Sequence, residues 1–328
     1  MTTILVADIG GTKIDFAMLD ARRPFQEPLH VEQLASNRFA SLAEALAACR
    51  ARLPATVEYA SLAVAGPVVD QQVSFTNLPW QAEAADLARQ AGLAGVVLVN
   101  DLAALAEGVD LLGEDDLASL KPGTVQAGGN RLVVAPGTGL GAALVLAGGK
   151  VQATEAGHLS FAPRSAAETE LLTFMHREHD HVSFEMLCSG MGIGNLFDYL
   201  QGTGLPVPLE AAQWPREELA PLLARRARAA TIHCPLSSCT YEIFFDILAE
   251  FCANLTLVSL PAGGIYLGGG MLPHLHRLLD ARRFRRRFEA RGKMQAVVKP
   301  IPVFLINHPH LPLLGAYQVG RRTFLDER

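Results

Sequence analysis

Three glycine-rich turns, each directly after a short apolar run, constrain this chain more than any other feature. Ile4–Ala7 passes through Asp8 and Ile9 into Gly10-Gly11-Thr12. Leu132–Ala135 passes through Pro136 into Gly137-Thr138-Gly139, and Ile265–Leu267 closes on Gly268-Gly269-Gly270. Without a Cβ, glycine lets backbone N–H groups converge, which forms a concavity for an anion. The hydroxyls of Thr12 and Thr138 add donors, and Lys13, which follows Thr12, is grouped with the same residues. One such turn does no more than close a hairpin. Three of them, with an aspartate and two threonines in place, point to phosphate. Asp8 beside its turn needs a counter-charge, and Mg²⁺ on a nucleoside triphosphate, reached through water, supplies it. The chain has no G-x-x-x-x-G-K-[ST], which excludes a Walker-type loop.

Around these turns, short apolar runs alternate with helical spacing. Strands are expected at Ile14–Leu19, Ser61–Ala65 and Val96–Val99, and helices at Leu42–Leu53, Ala82–Ala91 and Leu102–Leu112. A second cycle opens near Arg131, with Leu132–Ala135 and Ala142–Leu146 as strands. Ala166–Leu260 reads mostly helical around a polar loop at Gln201–Trp214; Val303–Ile306 reads as a late strand and Leu313–Phe324 as a final helix. Strands alternating with helices predict an α/β architecture. The β-turn-β unit at Val6–Thr12 looks duplicated at Val134–Gly139. With 328 residues, 50% of them hydrophobic, the chain is long enough for two domains. The expected lobes are residues 1–109 joined by 311–328, and residues 110–310.

Charge and cysteine usage exclude other classes. Lys and Arg total 28 against 33 Asp and Glu, a net charge of −5 that lacks the field duplex nucleic acid selects. The basic run Arg282, Arg283, Arg285, Arg286, Arg287 and Arg291 therefore reads as a solvated helix face. No membrane partner is expected, because the longest apolar candidate, Leu132–Ala147, is broken by Pro136, Gly137, Gly139 and Gly141. Met1–Asp8 carries no basic leader, so no signal peptide is expected. Five scattered cysteines suit reduced thiols in the cytoplasm. Cys234 and Cys239, near His233, lack a second ligand pair and are expected to be plain thiols.

Catalysis needs more than phosphate binding. Asn100-Asp101 stands where Val96–Val99 passes into a helix, and ligands of open α/β sheets gather outside the carboxyl ends of strands. A carboxylate there can take the proton of an attacking hydroxyl at about 2.6–3.2 Å, with Asn100 orienting a neighbouring hydroxyl. The competing reading is that Asp101 merely caps the helix. Glu155, His158 and Glu185 complete a set of acceptors and an imidazole able to read a polyol, although each alone would be ordinary surface. A dinucleotide site is the rival enzyme class. Gly137-Thr138-Gly139-Leu140-Gly141-Ala142 satisfies G-x-G-x-x-A, and Glu155 follows near the expected acidic position. That fingerprint requires a helix after the turn, whereas Ala142–Leu146 reads as a strand.

Taken in order, these segments resemble the bacterial glucokinases of the hexokinase superfamily over nearly the whole chain. Asp8-Ile9-Gly10-Gly11-Thr12 resembles the first phosphate motif, Gly137-Thr138-Gly139-Leu140-Gly141 the second, and Gly268-Gly269-Gly270 the adenosine motif. Ser74-Phe75-Thr76-Asn77-Leu78-Pro79-Trp80 resembles the sugar segment ending in Thr-Asn-x-x-Trp, and Asn100-Asp101 resembles the sugar-binding Asn and catalytic Asp. Glu155-Ala156-Gly157-His158 and Phe161-Ala162-Pro163 resemble the family's Glu-Gly-Gly-His segment and its Phe-Ala-Pro, and Glu185 before Cys188-Ser189-Gly190 resembles the remaining sugar carboxylate. The resemblance implies a two-lobed actin-like ATPase (ribonuclease H-like) fold with a duplicated core and a cleft between the lobes. It implies ATP with Mg²⁺ as donor, glucose phosphorylated at its 6-hydroxyl, Asp101 as general base and a homodimer. Sugar contacts are then expected from Asn77, Asn100, Asp101, Glu155, His158 and Glu185. A kinase of another hexose or amino sugar, and a non-catalytic sugar sensor on the same fold, are the alternatives. Lys13 stands where this group usually has Asn, and where repressor–ORF–kinase (ROK) sugar kinases have Lys. Those kinases also carry a Cys-rich zinc segment after the histidine. Here Leu159-Ser160-Phe161-Ala162-Pro163-Arg164 follows His158, so no zinc is expected. Ala156 and Met191 replace residues that are commonly Gly and Pro.

Overall fold

Strand Thr3–Ile9 (β1) is buried along nearly its whole length, which requires cover on both faces of its sheet. The computed structural model that shows this cover describes residues 3–20, 31–75, 78–229 and 234–326; Asn77 and His233 lie outside them. The chain divides into two units. The first is Met1–Leu117 with Gly149–Ala153 and His308–Arg328, and the second is Ala118–Gly148 with Thr154–Asn307.

In the first unit, β1 turns back antiparallel into Lys13–Asp20 (β2) with Asp8 opposite Asp15 and Ile9 opposite Ile14. Val31–Ala35 (β3) pairs with β2. On its other side β1 runs parallel to Tyr59–Val64 (β4). Val68–Val69 (β5), Gln72–Ser74 (β6) and Gln81–Glu83 (β7) form a small antiparallel sheet of their own. Gly95–Asn100 (β8) then joins β4 in parallel, completing the order β3-β2-β1-β4-β8. The parallel register sets Ile9, Val64 and Asn100 in one row, so the carboxyl ends of three strands share an edge.

Alternation along β1 serves the two faces. Leu5, Ala7 and Ile9 pack with Leu42, Leu46 and Leu87 of helices Leu42–Arg52 and Ala84–Ala91. Ile4 and Val6 pack with Leu313, Ala316 and Tyr317 of helix Leu311–Arg321 and with Ala104 of helix Asp101–Gly108. The two helices on this second face touch closely: a Cβ on Gly315 would lie 1.6 Å from the Ala104 carbonyl oxygen.

The second sheet contains Leu117–Lys121 (β9), Arg131–Pro136 (β10), Leu140–Val145 (β11), Val151–Thr154 (β12), Ile265–Leu267 (β13) and Val303–Ile306 (β14), in the order β12-β11-β10-β13-β14-β9. Its centre repeats the plan of the first sheet: an antiparallel hairpin, β10 and β11, turns through Gly137–Gly139, and β13 lies parallel to β10. Helix Pro235–Ser259 runs through the second unit's core, where Phe244, Leu248 and Phe251 are fully buried. Pro235 occupies its first turn, where no backbone N–H is required.

Several elements end elsewhere than their sequence pattern suggests. The helix expected over Leu102–Leu112 spans Asp101–Gly108, and Val109–Leu111 is a 3₁₀ turn. Gly108 presses on Leu311, whose Cδ1 would lie 2.7 Å from an added Cβ. The helix expected from Ala82 begins at Ala84, because Gln81–Glu83 pairs with Gln72–Ser74. The final helix starts at Leu311, since Pro312 is tolerated in a first turn, and Arg322–Asp326 continues it as a π-helical turn. Strands β3, β5, β6, β7, β9 and β12 are short and partly exposed, and so carry little periodic signal. The basic run is not simply a solvated face. Arg283 pairs with Glu242 and Asp246, Arg285 with Glu289, Arg287 with Glu168 and Glu250, and Arg291 with Glu250.

Candidate active site

Within the first unit, β1 carries Asp8 to the carboxyl edge of the sheet, just before the Gly10–Thr12 turn. Gly10 N–H donates to the Lys13 carbonyl at 3.0 Å. Fully buried Ser36 fastens the turn, its hydroxyl donating to the Gly10 carbonyl at 2.7 Å and its N–H to the Thr12 carbonyl at 3.0 Å. Burial pushes the Asp8 carboxyl up to about 7; the charges of Asp101 and Asp15 push the same way, and Lys13 opposes them. Lys13 is exposed, with its ammonium 2.6 Å from Asp15 Oδ2. Exposed pairs of this kind are worth about 0–1 kcal/mol, so a phosphate can take the ammonium over.

Asn100, rather than Asp101, caps helix Asp101–Gly108. Its Oδ1 accepts from the N–H groups of Leu102 and Ala103 at 3.1 Å each, and its Nδ2 donates to the Gly66 carbonyl at 3.1 Å. Asp101, the first residue of the helix, shares one of these donors, its Oδ1 accepting from Leu102 N–H at 2.8 Å. Asp101 and Asp8 feel each other's charge and form one acidic group at the sheet edge. A carboxyl raised in this way is what a divalent cation would relieve, so the residues present fit Mg²⁺. Buried Trp80 packs edge-on against Phe75 with ring centroids 5.5 Å apart, and Phe75 N–H donates to the Trp80 carbonyl at 3.0 Å.

In the second unit Glu185 is the hub. Its Oε2 accepts Leu140 N–H at 2.8 Å, at the exit of the Gly137–Gly139 turn, and a Cβ on Gly139 would lie 2.5 Å from that oxygen. Its own N–H donates to the Gly157 carbonyl at 3.0 Å, while a Cβ on Gly157 would lie 1.9 Å from the Leu140 carbonyl oxygen. Close approach to backbone requires glycine at Gly157, whereas a Cβ on Gly139 would displace the end of the Glu185 side chain. His158 stands between two carboxylates, with Nδ1 3.9 Å from Glu185 Oε1 and Nε2 4.0 Å from Glu155 Oε2. The second phosphate turn and the expected sugar residues of this unit are thus one assembly.

Two neighbours complete it. Gly190 N–H donates to the Gly137 carbonyl at 2.9 Å, which seats the start of helix Gly190–Gln201 on the turn; Ser189 caps that helix, its hydroxyl accepting Gly192 N–H at 3.1 Å. The positive end of the helix adds to the turn's attraction for phosphate. Sequence reasoning missed this seat, although Ser189 before a helical stretch was the available signal. Gly268 N–H donates to the Val134 carbonyl at 2.9 Å. Gly269, at φ 89°, packs so close that a Cβ would lie 2.8 Å from the Pro136 carbonyl oxygen. The third glycine run therefore lies along the strand that feeds the second turn.

Leu140–Val145 is a strand, and with no helix after the turn the dinucleotide fingerprint is excluded. Among the described residues no three His, Cys, Asp or Glu are grouped to hold a metal ion, and no helix is long and apolar enough to cross a membrane.

A family model described as Glucokinase matches residues 5–323. The glucokinase of Trichormus variabilis is 31% identical over 335 residues, a match spanning 96% of this chain and 98% of that one. A solved glucokinase from an Antarctic psychrotroph superposes with a TM-score of 0.81 at 31% identity, covering 98% of this chain and 99% of that one. A ROK-family glucokinase from Streptomyces griseus, solved with glucose and AMPPNP, shares the fold at 20% identity and a TM-score of 0.69, covering 98% and 99% of the two chains. The common fold is the duplicated α/β fold of the actin-like ATPases. Matched over nearly its whole length in both sequence and fold, the chain belongs to the glucokinase family of sugar kinases.

Proposed function

We propose that this family member transfers the γ-phosphoryl group of ATP to the 6-hydroxyl of glucose, with Asp101 as general base. The observation that carries the assignment is the acidic pair at the sheet edge: Asn100 does the capping, and Asp101 keeps a carboxylate beside Asp8. The attacking hydroxyl gives its proton to Asp101 as its oxygen bonds to the γ-phosphorus. The bond from that phosphorus to the bridging oxygen breaks, and ADP leaves. Asn77, Asn100, Glu155, His158 and Glu185 read the other hydroxyls. Gly10, Gly11, Thr12, Lys13, Gly137, Thr138 and Gly139 hold phosphates, and Gly268, Gly269 and Gly270 flank the nucleoside. Mg²⁺ held at Asp8 through water would offset the negative charge of the phosphates. The complex of the Streptomyces griseus relative with glucose and AMPPNP accords with these ligands.

The protein is read as a cytoplasmic homodimer. Its five free thiols suit a reducing compartment. The stretch Phe251–Leu275, which contains no Asp, Glu, Lys or Arg, exposes Leu257, Val258 and Leu260 to a partner. A coupled ADP-release assay over glucose, mannose, fructose, glucosamine and N-acetyl sugars tests the activity. The highest kcat/KM is expected with glucose. A higher value with another sugar reassigns the substrate, and no sugar-dependent ADP release favours the sensor.

A further inference from the structure

We propose that Arg164 is a positioning residue, which straps the sugar-reading segment to the core of the second unit through a buried charge cluster; the sugar-binding part rests on the function proposed above. Arg164 ends the stretch that begins at His158. Its backbone N–H donates to Glu168 Oε2 at 2.6 Å, Nη1 donates to Glu250 Oε2 at 2.7 Å, and Nη2 to the Ala290 carbonyl at 2.5 Å. Glu250, only 3% exposed, lies on helix Pro235–Ser259. It also meets Arg287 Nε at 3.4 Å and Arg291 Nη2 at 3.3 Å, and Arg287 pairs with Glu168 as well.

Arg164 serves both the cluster and the loop. Arg287 and Arg291 already balance Glu168 and Glu250, so Arg164 brings one positive charge beyond neutrality. Surplus charge in a largely buried cluster costs stability. Arg164 offsets that cost by hydrogen-bonding the Glu250 carboxylate at 2.7 Å, which Arg287 Nε and Arg291 Nη2 meet only at 3.4 and 3.3 Å. Arg164 therefore joins loop and cluster, since its backbone belongs to the sugar-reading stretch and its guanidinium ends on Glu250.

Between the strap and the site, the chain is zipped. Phe161 N–H donates to the Val182 carbonyl at 2.8 Å and Phe184 N–H to the Leu159 carbonyl at 3.0 Å, with a β-bridge between Ser160 and Ser183. Phe161 packs edge-on against Phe184 at 5.7 Å, and Phe184 lies tilted against Phe251 at 5.2 Å. Phe184 precedes Glu185, and Phe251 follows Glu250. The two stretches that present His158 and Glu185 thus form one layer, with Arg164 as its fastener.

Arg164→Met keeps most of the stem, removes the surplus charge and cuts the strap. The variant should still fold, with a melting temperature lowered by several degrees because Glu250 loses that hydrogen bond. The KM for sugar should rise about tenfold, with the KM for ATP and kcat changed less than about threefold. Arg164→Lys keeps the charge without the fork and should fall between the two. Amide hydrogen exchange without ligands should speed up over residues 157–163 in Arg164→Met. An unchanged sugar KM, or equal rises for sugar and ATP, overturns the proposal. Should the wild type phosphorylate no hexose, the assigned function fails separately and exchange decides the strap: faster exchange confined to residues 157–163 and 182–185 supports it, and unchanged exchange overturns it.

Discussion

The two hairpins of this protein share a backbone plan and diverge at one strand position. Val6-Ala7-Asp8 in the first corresponds to Val134-Ala135-Pro136 in the second, and each strand turns through glycine and threonine into an antiparallel partner. The first hairpin carries a carboxyl raised to about 7 beside Asp101. The second carries a proline there, with neither charge nor N–H, and takes its carboxylate from Glu185, far along the chain. Anion binding belongs to the shape of the turn and survives duplication. Acid–base chemistry belongs to single side chains and does not.

The contrast breaks first at Asp101. Asp101→Asn should lower kcat by ~10²–10⁴, the usual share of general-base catalysis, with sugar affinity kept. Steady-state rates with calorimetry check this, and near-normal turnover would remove the base from the first hairpin's side.

Asp8 sharpens it next, through stability. Its carboxyl titrates at about 7 in the folded chain against an ordinary 3.8, so the fold holds that proton more tightly than the unfolded chain does. Stability is then greatest below the ordinary value and falls as pH rises towards 7. Asp8→Asn removes the fall, so the metal-free variant's advantage in thermal melts should grow from pH 5 to pH 8, on the order of a few kcal/mol at most. A constant difference across that range would mean that the charge is not strained.

On the other hairpin, Glu185→Gln keeps an oxygen for Leu140 but loses the charge. Sugar affinity should drop ~10–100-fold, the range for a hydrogen bond to a charged group, and ATP affinity less. Titration calorimetry giving the opposite ranking would detach Glu185 from the sugar. The smallest effect should come from the turn itself. A Cβ on Gly137 meets nothing within 4 Å, whereas one on Gly139 meets Glu185. Gly137→Ala should therefore leave the melting temperature unchanged and weaken only nucleotide binding, while Gly139→Ala should also raise the sugar KM. Identical kinetic profiles for the two variants would contradict the geometry.

Legibility followed distance along the chain. Strand, glycine turn and second strand lie within one short stretch, Thr3–Asp20 or Arg131–Val145, and the periodicity of their apolar positions shows them directly. The division of labour between Asn100 and Asp101 was not visible. It depends on the extended backbone of Asn100, φ −60° and ψ 142°, which turns its side chain onto Leu102 and Ala103. Ser36 gave no signal, because its hydroxyl meets a carbonyl 26 residues away. The basic run was visible as charge, but four of its acidic partners, Glu168, Glu242, Asp246 and Glu250, lie elsewhere in the chain, so its role was not.

From the order of amino acids alone come the alternation of strand and helix, the glycine bends and the family resemblance, since each rests on spacing between near neighbours. Folding had to settle that Glu185 clasps the exit of the second turn, that helix Gly190–Gln201 begins on that turn, and that Arg164 ends in a buried cluster. Each joins segments with no local preference for one another. Their meeting is fixed by how sheets and helices pack, and packing is a property of the whole chain.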